Sequence, residues 1–369
     1  MLVILVAALV LTAGSLLLAL LVWLGLRLAG RGRAAGDAGL GAPPGRFWKR
    51  TRRLHLVLVP TYLFVVIPGA FGWFGSRGVV TRGDEQGFIG PYLDARGAWQ
   101  AQTRETLRVA ASQGGGFVAP DLVEGADGVR VRVFLVPAAS PSSPRATVML
   151  VHGLFRGGCE VDAVGAMFHA LGAEVCVVEL RNHGGSDAAP ATYGLRESRD
   201  LVCVAEHLRR RPGAASRPLV LYGVSLGACA AALAAPDIGG LSGLVLDAPM
   251  AELASTAHRI LDVRMGMPQP FRSLTLMAIE RWSGFSMADV RPLDALARLP
   301  ATLPSLVIGG GEDQRMPPAV VRAVHAALPA GPDTKALWIR DGSGHGKVWR
   351  DDPGGYGDRL SALLERAVR

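Results

Sequence analysis

Cysteine is scarce: the 369 residues hold four, at 159, 176, 203 and 229, with no C-x-x-C or other metal-type spacing. Cys176 lies in an apolar run and Cys229 among small residues, so buried free thiols are expected. Sequence alone leaves a disulfide open among Cys159, Cys176, Cys203 and Cys229. Lysine is scarcer still, three of 39 basic residues, while Ala, Gly and Pro abound. That composition reads as the coding bias of a GC-rich, bacterial genome. Charge is missing locally as well. Residues 1–26 carry no ionisable side chain, and 54–76 carry only His55.

The formal net charge is +8, but its distribution removes the usual reading. Between Arg27 and Arg53 stand eight basic residues against one acid, Asp37, so that stretch is +7 and the rest about +1. The remaining chain has no basic excess to offer a phosphate backbone, and nucleic acid is not an expected partner. A basic belt between two apolar segments is instead the signature that orients a chain in a membrane or rests on anionic headgroups.

Residues 1–29 are expected to form a transmembrane helix, being longer than the ~20 residues that span the hydrocarbon core. A signal peptide would carry basic residues ahead of the run, and none precedes it. Residues 30–53 form the basic loop. The second apolar segment, 54–76, holds Pro60, Pro68, Gly69, Gly72 and Gly75. It either spans, making a hairpin with the first, or lies in the interface with Tyr62, Phe71 and Trp73 at headgroup depth. Spanning would put the C-terminal domain across the membrane from the basic belt. Lying flat would leave both on the cytoplasmic side. The chain is thus expected in the bacterial cell membrane, with the side of its domain open. Residues 77–119 read as a polar connector with one helical stretch at Ala98–Ala111, and 120–369 as the folded domain.

Within that domain, short β-rich apolar runs alternate with Ala/Leu/Arg-rich helical stretches. Val129–Val136, Ala146–Val151, Ala173–Leu180, Leu219–Tyr222, Leu244–Leu246, Ser305–Ile308 and Ala336–Ile339 read as strands. Continuous apolar runs separated by helices imply an α/β fold with a mostly parallel sheet covered on both faces.

Gly223-Val224-Ser225-Leu226-Gly227 lies between one of these strands and a helix. In that setting G-x-S-x-G is a nucleophile elbow, its glycines permitting a sharp turn with the serine at the tip. His152-Gly153-Leu154 ends an earlier strand. The backbone N–H groups of Leu154 and Leu226 would then face the charge on a tetrahedral intermediate, with the His152 side chain packed beneath the loop. A serine hydroxyl needs a base, and the base an orienting carboxylate. His345, between glycines after the last strand, fits the order serine, acid, histidine; His183 precedes the serine and is assigned to loop structure. Asp313, after the strand 305–308, is the favoured acid. Asp247 and Glu312 remain alternatives.

With these motifs together the chain resembles the α/β-hydrolase superfamily, and within it membrane-anchored α/β-hydrolase-domain serine hydrolases. The resemblance rests on Asp127-Gly128-Val129-Arg130-Val131, Val151-His152-Gly153, Arg181-Asn182-His183-Gly184-Gly185-Ser186 and Tyr193-Gly194 with Glu197 and Asp200. Gly223–Gly227, Leu246-Asp247-Ala248-Pro249, Gly310-Gly311-Glu312-Asp313 and Gly344-His345 complete it. Asn182 departs slightly, standing where many relatives carry glycine or another small residue. The resemblance implies the α/β-hydrolase fold, a triad of Ser225, Asp313 and His345, and oxyanion donors at Leu154 and Leu226. It also implies a small helical cap at about 250–294. There Met265, Met267, Phe271, Met277, Trp282 and Phe285 would line an apolar acyl pocket, or simply pack the cap's own core.

The expected activity is hydrolysis of an ester or thioester through an acyl-serine, with a small-molecule or lipid-like acyl substrate. It requires no metal or organic cofactor. Acyl transfer or peptidase action could use the same triad, and a non-catalytic membrane scaffold would need none of these residues.

Overall fold

The computed structural model describes residues 61–80 and 120–369, apart from 141, 155, 191, 330, 332 and 333. The expected transmembrane helix at 1–29, the basic loop, residues 54–60 and the helical stretch at Ala98–Ala111 lie outside the described residues. The described chain opens with a π-helical turn, Tyr62–Val66, that runs into helix α1, Ile67–Val80. Then come β1 (Asp121–Glu124), β2 (Arg130–Val136), β3 (Thr147–Val151), α2 (Asp162–Ala170) and β4 (Glu174–Val178). Next are α3 (Glu197–Arg210), β5 (Leu219–Val224), α4 (Leu226–Ala234) and β6 (Leu241–Asp247). Helices α5 (Leu253–Met265), α6 (Phe271–Ser283) and the short α7 (Pro292–Leu296) precede β7 (Ser305–Gly310). The chain closes with α8 (Pro318–Ala327), β8 (Lys335–Arg340), α9 (Val348–Asp351) and α10 (Pro353–Ala367).

The sheet has eight strands in the order β1-β2-β4-β3-β5-β6-β7-β8. Only the β1–β2 and β2–β4 pairings are antiparallel. From β4 to β8 every neighbour runs parallel. This is the α/β-hydrolase fold. Every residue of β3, β4, β5 and β7 is buried, as expected of strands covered by helices on both faces. On one face Leu201, Leu221, Ala231 and Val321 belong to one apolar cluster. On the other, Phe168, Tyr222, Val245 and Leu360 belong to a second. β1 was not among the expected strands. It has four residues, and only Val123 is buried, so it carries too little apolar pattern to read.

The second apolar segment is described from residue 61. Helix α1 extends to Val80, four residues past the expected boundary at 76, and packs along α6. No helix among the described residues is long and apolar enough to cross a membrane.

Loops at the C-terminal ends of the strands are pinned by buried charge. Arg181, directly after β4, donates to both carboxylate oxygens of Asp200 at 2.7 Å, and both side chains are buried. Asp200 Oδ1 also accepts from Ala126 N at 2.9 Å. Asn182, the departure from the family pattern, sits at φ 62°. Asn tolerates this left-handed conformation better than other side chains do, which is why it can replace glycine there. Removing one partner of a buried ion pair strands the other charge. Arg181→Met is therefore expected to cost about 3–5 kcal/mol of unfolding free energy, read from denaturant midpoints; a loss below 1 kcal/mol would refute it.

Candidate active site

The site is built at the ends of β3, β5, β6, β7 and β8, beginning with the turn from β5 into α4. A Cβ on Gly223 would overlap the Gly227 carbonyl; one on Gly227 would overlap the Val151 carbonyl and lie 2.6 Å from His152 O. Both positions admit only hydrogen. Between them Ser225 takes φ 55° and ψ −112°, a conformation that costs a non-glycine residue on the order of 1–3 kcal/mol. Its N–H donates to Asp247 O at 2.9 Å, and its carbonyl accepts from Cys229 N at 3.1 Å inside α4. The turn is thus tied to β6 on one side and to the helix on the other, with Ser225 partly exposed.

His345 arrives from the loop after β8. Gly310 lies so close to Ser343 that a Cβ would overlap its carbonyl. Glu312 N donates to Ser343 O at 2.9 Å, and Gly311 N to Arg340 O at 2.7 Å. These contacts clamp the turn after β7 to the turn after β8, and so Asp313 to His345. Asp313 is buried; its Oδ1 accepts from the N–H groups of Arg315 (2.9 Å) and Met316 (3.0 Å). That leaves Oδ2 for His345, whose Nδ1–H donates to it at 2.7 Å. With Nδ1 protonated, Nε2 is the acceptor for the Ser225 hydroxyl at 2.9 Å. The structure thereby brings Ser225, His345 and Asp313 into one hydrogen-bonded chain from residues up to 120 positions apart.

The rival residues fall elsewhere. Glu312 is exposed. His183 is buried, its Nδ1 bonded to Arg181 O at 2.9 Å, and burial holds its pKa below the usual value. Asp247 lies beneath the elbow and not against the His345 ring nitrogens. Its Oδ2 accepts from Tyr356 Oη at 2.8 Å and Tyr222 Oη at 3.5 Å, and the two phenols are 3.0 Å apart.

The His152-Gly153-Leu154 turn abuts the elbow: a Cβ on Gly153 would sit 3.4 Å from that of Ser225. Two anchors fix it. His152 is fully buried, with Nδ1–H donating to Gly153 O (2.8 Å) and Nε2 accepting from Leu180 N (3.1 Å). Burial and the neighbouring His183 hold its pKa down at about 3, so the ring is neutral. Glu160 supplies the second anchor, accepting from Gly153 N at 2.6 Å while its other oxygen pairs with Arg156 Nε at 3.2 Å. Leu226 opens α4 and is buried; Leu154 is half-buried against the main core. Sequence reasoning missed Glu160 and the two tyrosines. Glu160 follows Gly157-Gly158-Cys159 with no motif around it, and Tyr356 meets Asp247 across 109 positions.

Of the cysteines, Cys176, Cys203 and Cys229 are free thiols, and Cys176 and Cys229 are buried. Burial pushes the Cys176 thiol up to about 12, so it is inert as a nucleophile. The six residues expected to line an acyl pocket divide. Met267, packed against the cap's cluster, and Phe285 face inward, Phe271 is half-buried, and Met265, Met277 and Trp282 are exposed.

Comparison with known proteins gives a consistent fold. The family model of the serine aminopeptidases, S33, matches residues 142–283, a stretch that contains Ser225 but ends before Asp313 and His345. A Saccharomyces cerevisiae protein described as an uncharacterized membrane protein is 25% identical over 201 residues, 53% of this chain. The chain spans 62% of that relative's length. Among solved structures, the esterase Pf2001 of Pyrococcus furiosus superposes with a TM-score of 0.56 at 18% identity, covering 69% of this chain and 93% of its own. A membrane phospholipase A described as a bacterial virulence factor superposes with a TM-score of 0.51 at 18% identity, covering 76% and 93%. At such identities the likeness is one of fold.

The buried Asp247 makes a pH prediction. Burial pushes its carboxyl up to about 6, from an ordinary value of 3.8, partly opposed by the Tyr356 hydrogen bond. A folded pKa above the unfolded one means that the folded state holds the extra proton. The penalty is absent below pH ~4, grows as pH rises, and is complete above about 6; at ~1.4 kcal/mol per unit it reaches roughly 3 kcal/mol. Asp247→Asn removes the titration, whatever fixed cost the amide adds. Its stability relative to wild type is therefore expected to rise between pH 4 and pH 8 in thermal unfolding. A pH-independent difference would count against the assignment.

Proposed function

We propose, the chain being a member of the α/β-hydrolase superfamily, that it is a membrane-anchored serine hydrolase cleaving an ester or thioester through an acyl-serine intermediate. The observation that carries this is the continuous chain from Asp313 Oδ2 through the His345 ring to Ser225 Oγ, at 2.7 and 2.9 Å. A structural histidine has no need of a strained serine at one end and a saturated carboxylate at the other.

In the proposed reaction His345 Nε2 takes the Ser225 proton as Oγ attacks the acyl carbon. Asp313 Oδ2, which accepts from His345 Nδ1–H at 2.7 Å, holds the imidazolium that forms. The carbonyl electron pair moves onto oxygen, facing the N–H groups of Leu154 and Leu226. Donors of this kind are each worth about 2.7–4 kcal/mol. The bond to the alcohol or thiol then breaks, and the leaving group takes the proton from His345. A water, deprotonated by the same nitrogen, attacks the acyl-serine and releases the acid. Glu160 and His152 act at one remove, holding the 152–154 turn.

The anchor is the segment at 1–29, uncharged through residue 26, with its basic belt, and a small-molecule or lipid-like acyl substrate fits an enzyme so placed. The curated relative described as a membrane protein and the fold shared with a membrane phospholipase A support this reading. Peptidase action is the second reading, favoured by the description of the matching family as serine aminopeptidases.

Three variants test the assignment. Ser225→Ala is expected to abolish labelling by a fluorophosphonate and hydrolysis of p-nitrophenyl esters. Persistent labelling would move the nucleophile elsewhere. Asp313→Asn should keep the fold and lower kcat by about 10⁴, whereas Glu312→Gln should leave it near wild type. Turnover of aminoacyl-p-nitroanilides exceeding that of the esters would favour the peptidase.

A further inference from the structure

The described residues expose nine large hydrophobic side chains, and all but Leu122 lie on the pairing of the second apolar segment with the cap. Phe64, Val65, Val66 and Trp73 come from the 62–80 segment, Val263 and Met265 from the end of α5, and Met277 and Trp282 from α6. A soluble monomer scatters such residues; gathered on one unit, they mark a surface that something apolar covers. Val65 is 63% exposed, Met277 62% and Trp282 46%.

The unit is a single packed body. The Phe64 and Phe271 rings stack at 5.4 Å and 6°. Helices α1 and α6 approach so closely that a Cβ on Gly72 would overlap that of Ala278 and lie 3.1 Å from both Thr275 O and the Trp282 ring. Gly69 is also in contact with Trp282, at 3.8 Å. Small residues that let helix backbones meet suit association where no hydrophobic effect drives it. The cap is therefore packed directly on the second apolar segment. That segment follows immediately on the +7 belt, whose last five basic residues, Arg46, Lys49, Arg50, Arg52 and Arg53, end eight residues before Thr61. The 26-residue uncharged run lies just upstream. Arg281, which precedes Trp282 in the chain, is exposed and adds a basic residue to α6.

We infer that this joint face of α1 and α6 docks on an anionic phospholipid bilayer, so that the cap of the hydrolase lies on the membrane and acyl substrate reaches the site from the lipid. Apolar residues take the headgroup–acyl boundary, with tryptophan at the interface and basic residues against the headgroups. The inference rests on the hydrolase reading only for its substrate clause; docking is independent of catalysis.

The full-length protein in nanodiscs of phosphatidylglycerol and phosphatidylcholine, one chain per disc, provides the test. Emission of wild type and Trp282→Phe is compared in ordinary lipid and in lipid brominated near the top of the acyl chains. Docking predicts that the Trp282 contribution, present in ordinary lipid, falls several-fold in brominated lipid. An equal contribution in both overturns the inference, as does quenching seen only in discs that hold two chains, which would make the occupant a second copy. For the substrate clause, Met277→Asp is expected to slow turnover of a long-chain ester dissolved in the bilayer at least tenfold. Turnover of a water-soluble short-chain ester and fluorophosphonate labelling should stay unchanged. An equal loss on both esters, or no loss on either, overturns delivery from lipid. A wild type that neither labels nor turns over would sink the hydrolase reading while the quenching result stood by itself.

Discussion

The arrangement of the site depends on one close approach, that of Gly227 to the ends of β3. With no Cβ at 227, α4 can start against the carbonyls of Val151 and His152, and with none at 223 the strand can fold back on it. Ser225 is thereby forced to φ 55°. A strained residue of this sort persists only where its surroundings over-determine it. Here the parallel β3–β5–β6 core, the bond from Ser225 N to Asp247 O and the helical bond to Cys229 do so. The same contact that strains the serine brings the 152–154 turn beside it, so Ser225 and that turn are set by one packing event.

Around that point buried polar groups are used mainly to hold backbone. His152, kept neutral by burial, bridges two strands' ends; Glu160 fixes Gly153; Asp313 spends one oxygen on two backbone amides before the other meets His345. Asp247 is the exception. Its Oδ2 is bonded to Tyr356 while its Oδ1 is buried without a partner, and its carbonyl, not its side chain, serves the elbow. A charge left this poorly compensated is costly, and burial meets the cost by favouring the neutral acid.

Much of this was legible in the sequence because the signals are local. Continuous apolar runs such as Thr147–Val151 specify buried parallel strands, and Gly223–Gly227 between a strand and a helix specifies the elbow. The order serine, acid, histidine separated His345 from His183, and the strand-end position favoured Asp313 over Glu312, two adjacent residues of which one is buried and one exposed. Other features join residues far apart by packing and leave no periodic trace. Tyr222 and Tyr356 meet over Asp247 from a strand and a distant helix, and Glu160 reaches back seven residues to Gly153. β1 is too short to show alternation. The cap's inward and outward residues could not be told apart either, because Met and Trp read as apolar on either face.

The second apolar segment shows how hydropathy underdetermines structure. Its composition suits a spanning helix, an interfacial one, or a helix buried in protein, and Gly69 and Gly72 weigh against the first in water. In the fold those glycines are what admit Ala278, Thr275 and Trp282, so the residues that weaken an isolated helix make this one a partner for the cap. The pairing sets Trp282 against Gly69 and Gly72 and still leaves it, with Val65, Trp73 and Met277, partly exposed. A helix with a covered seam and exposed apolar side chains is not satisfied by water. Lying against a membrane surface would satisfy those side chains with no rearrangement around Ser225, because the elbow and the His345 loop belong to the sheet while the exposed residues belong to α1 and the cap.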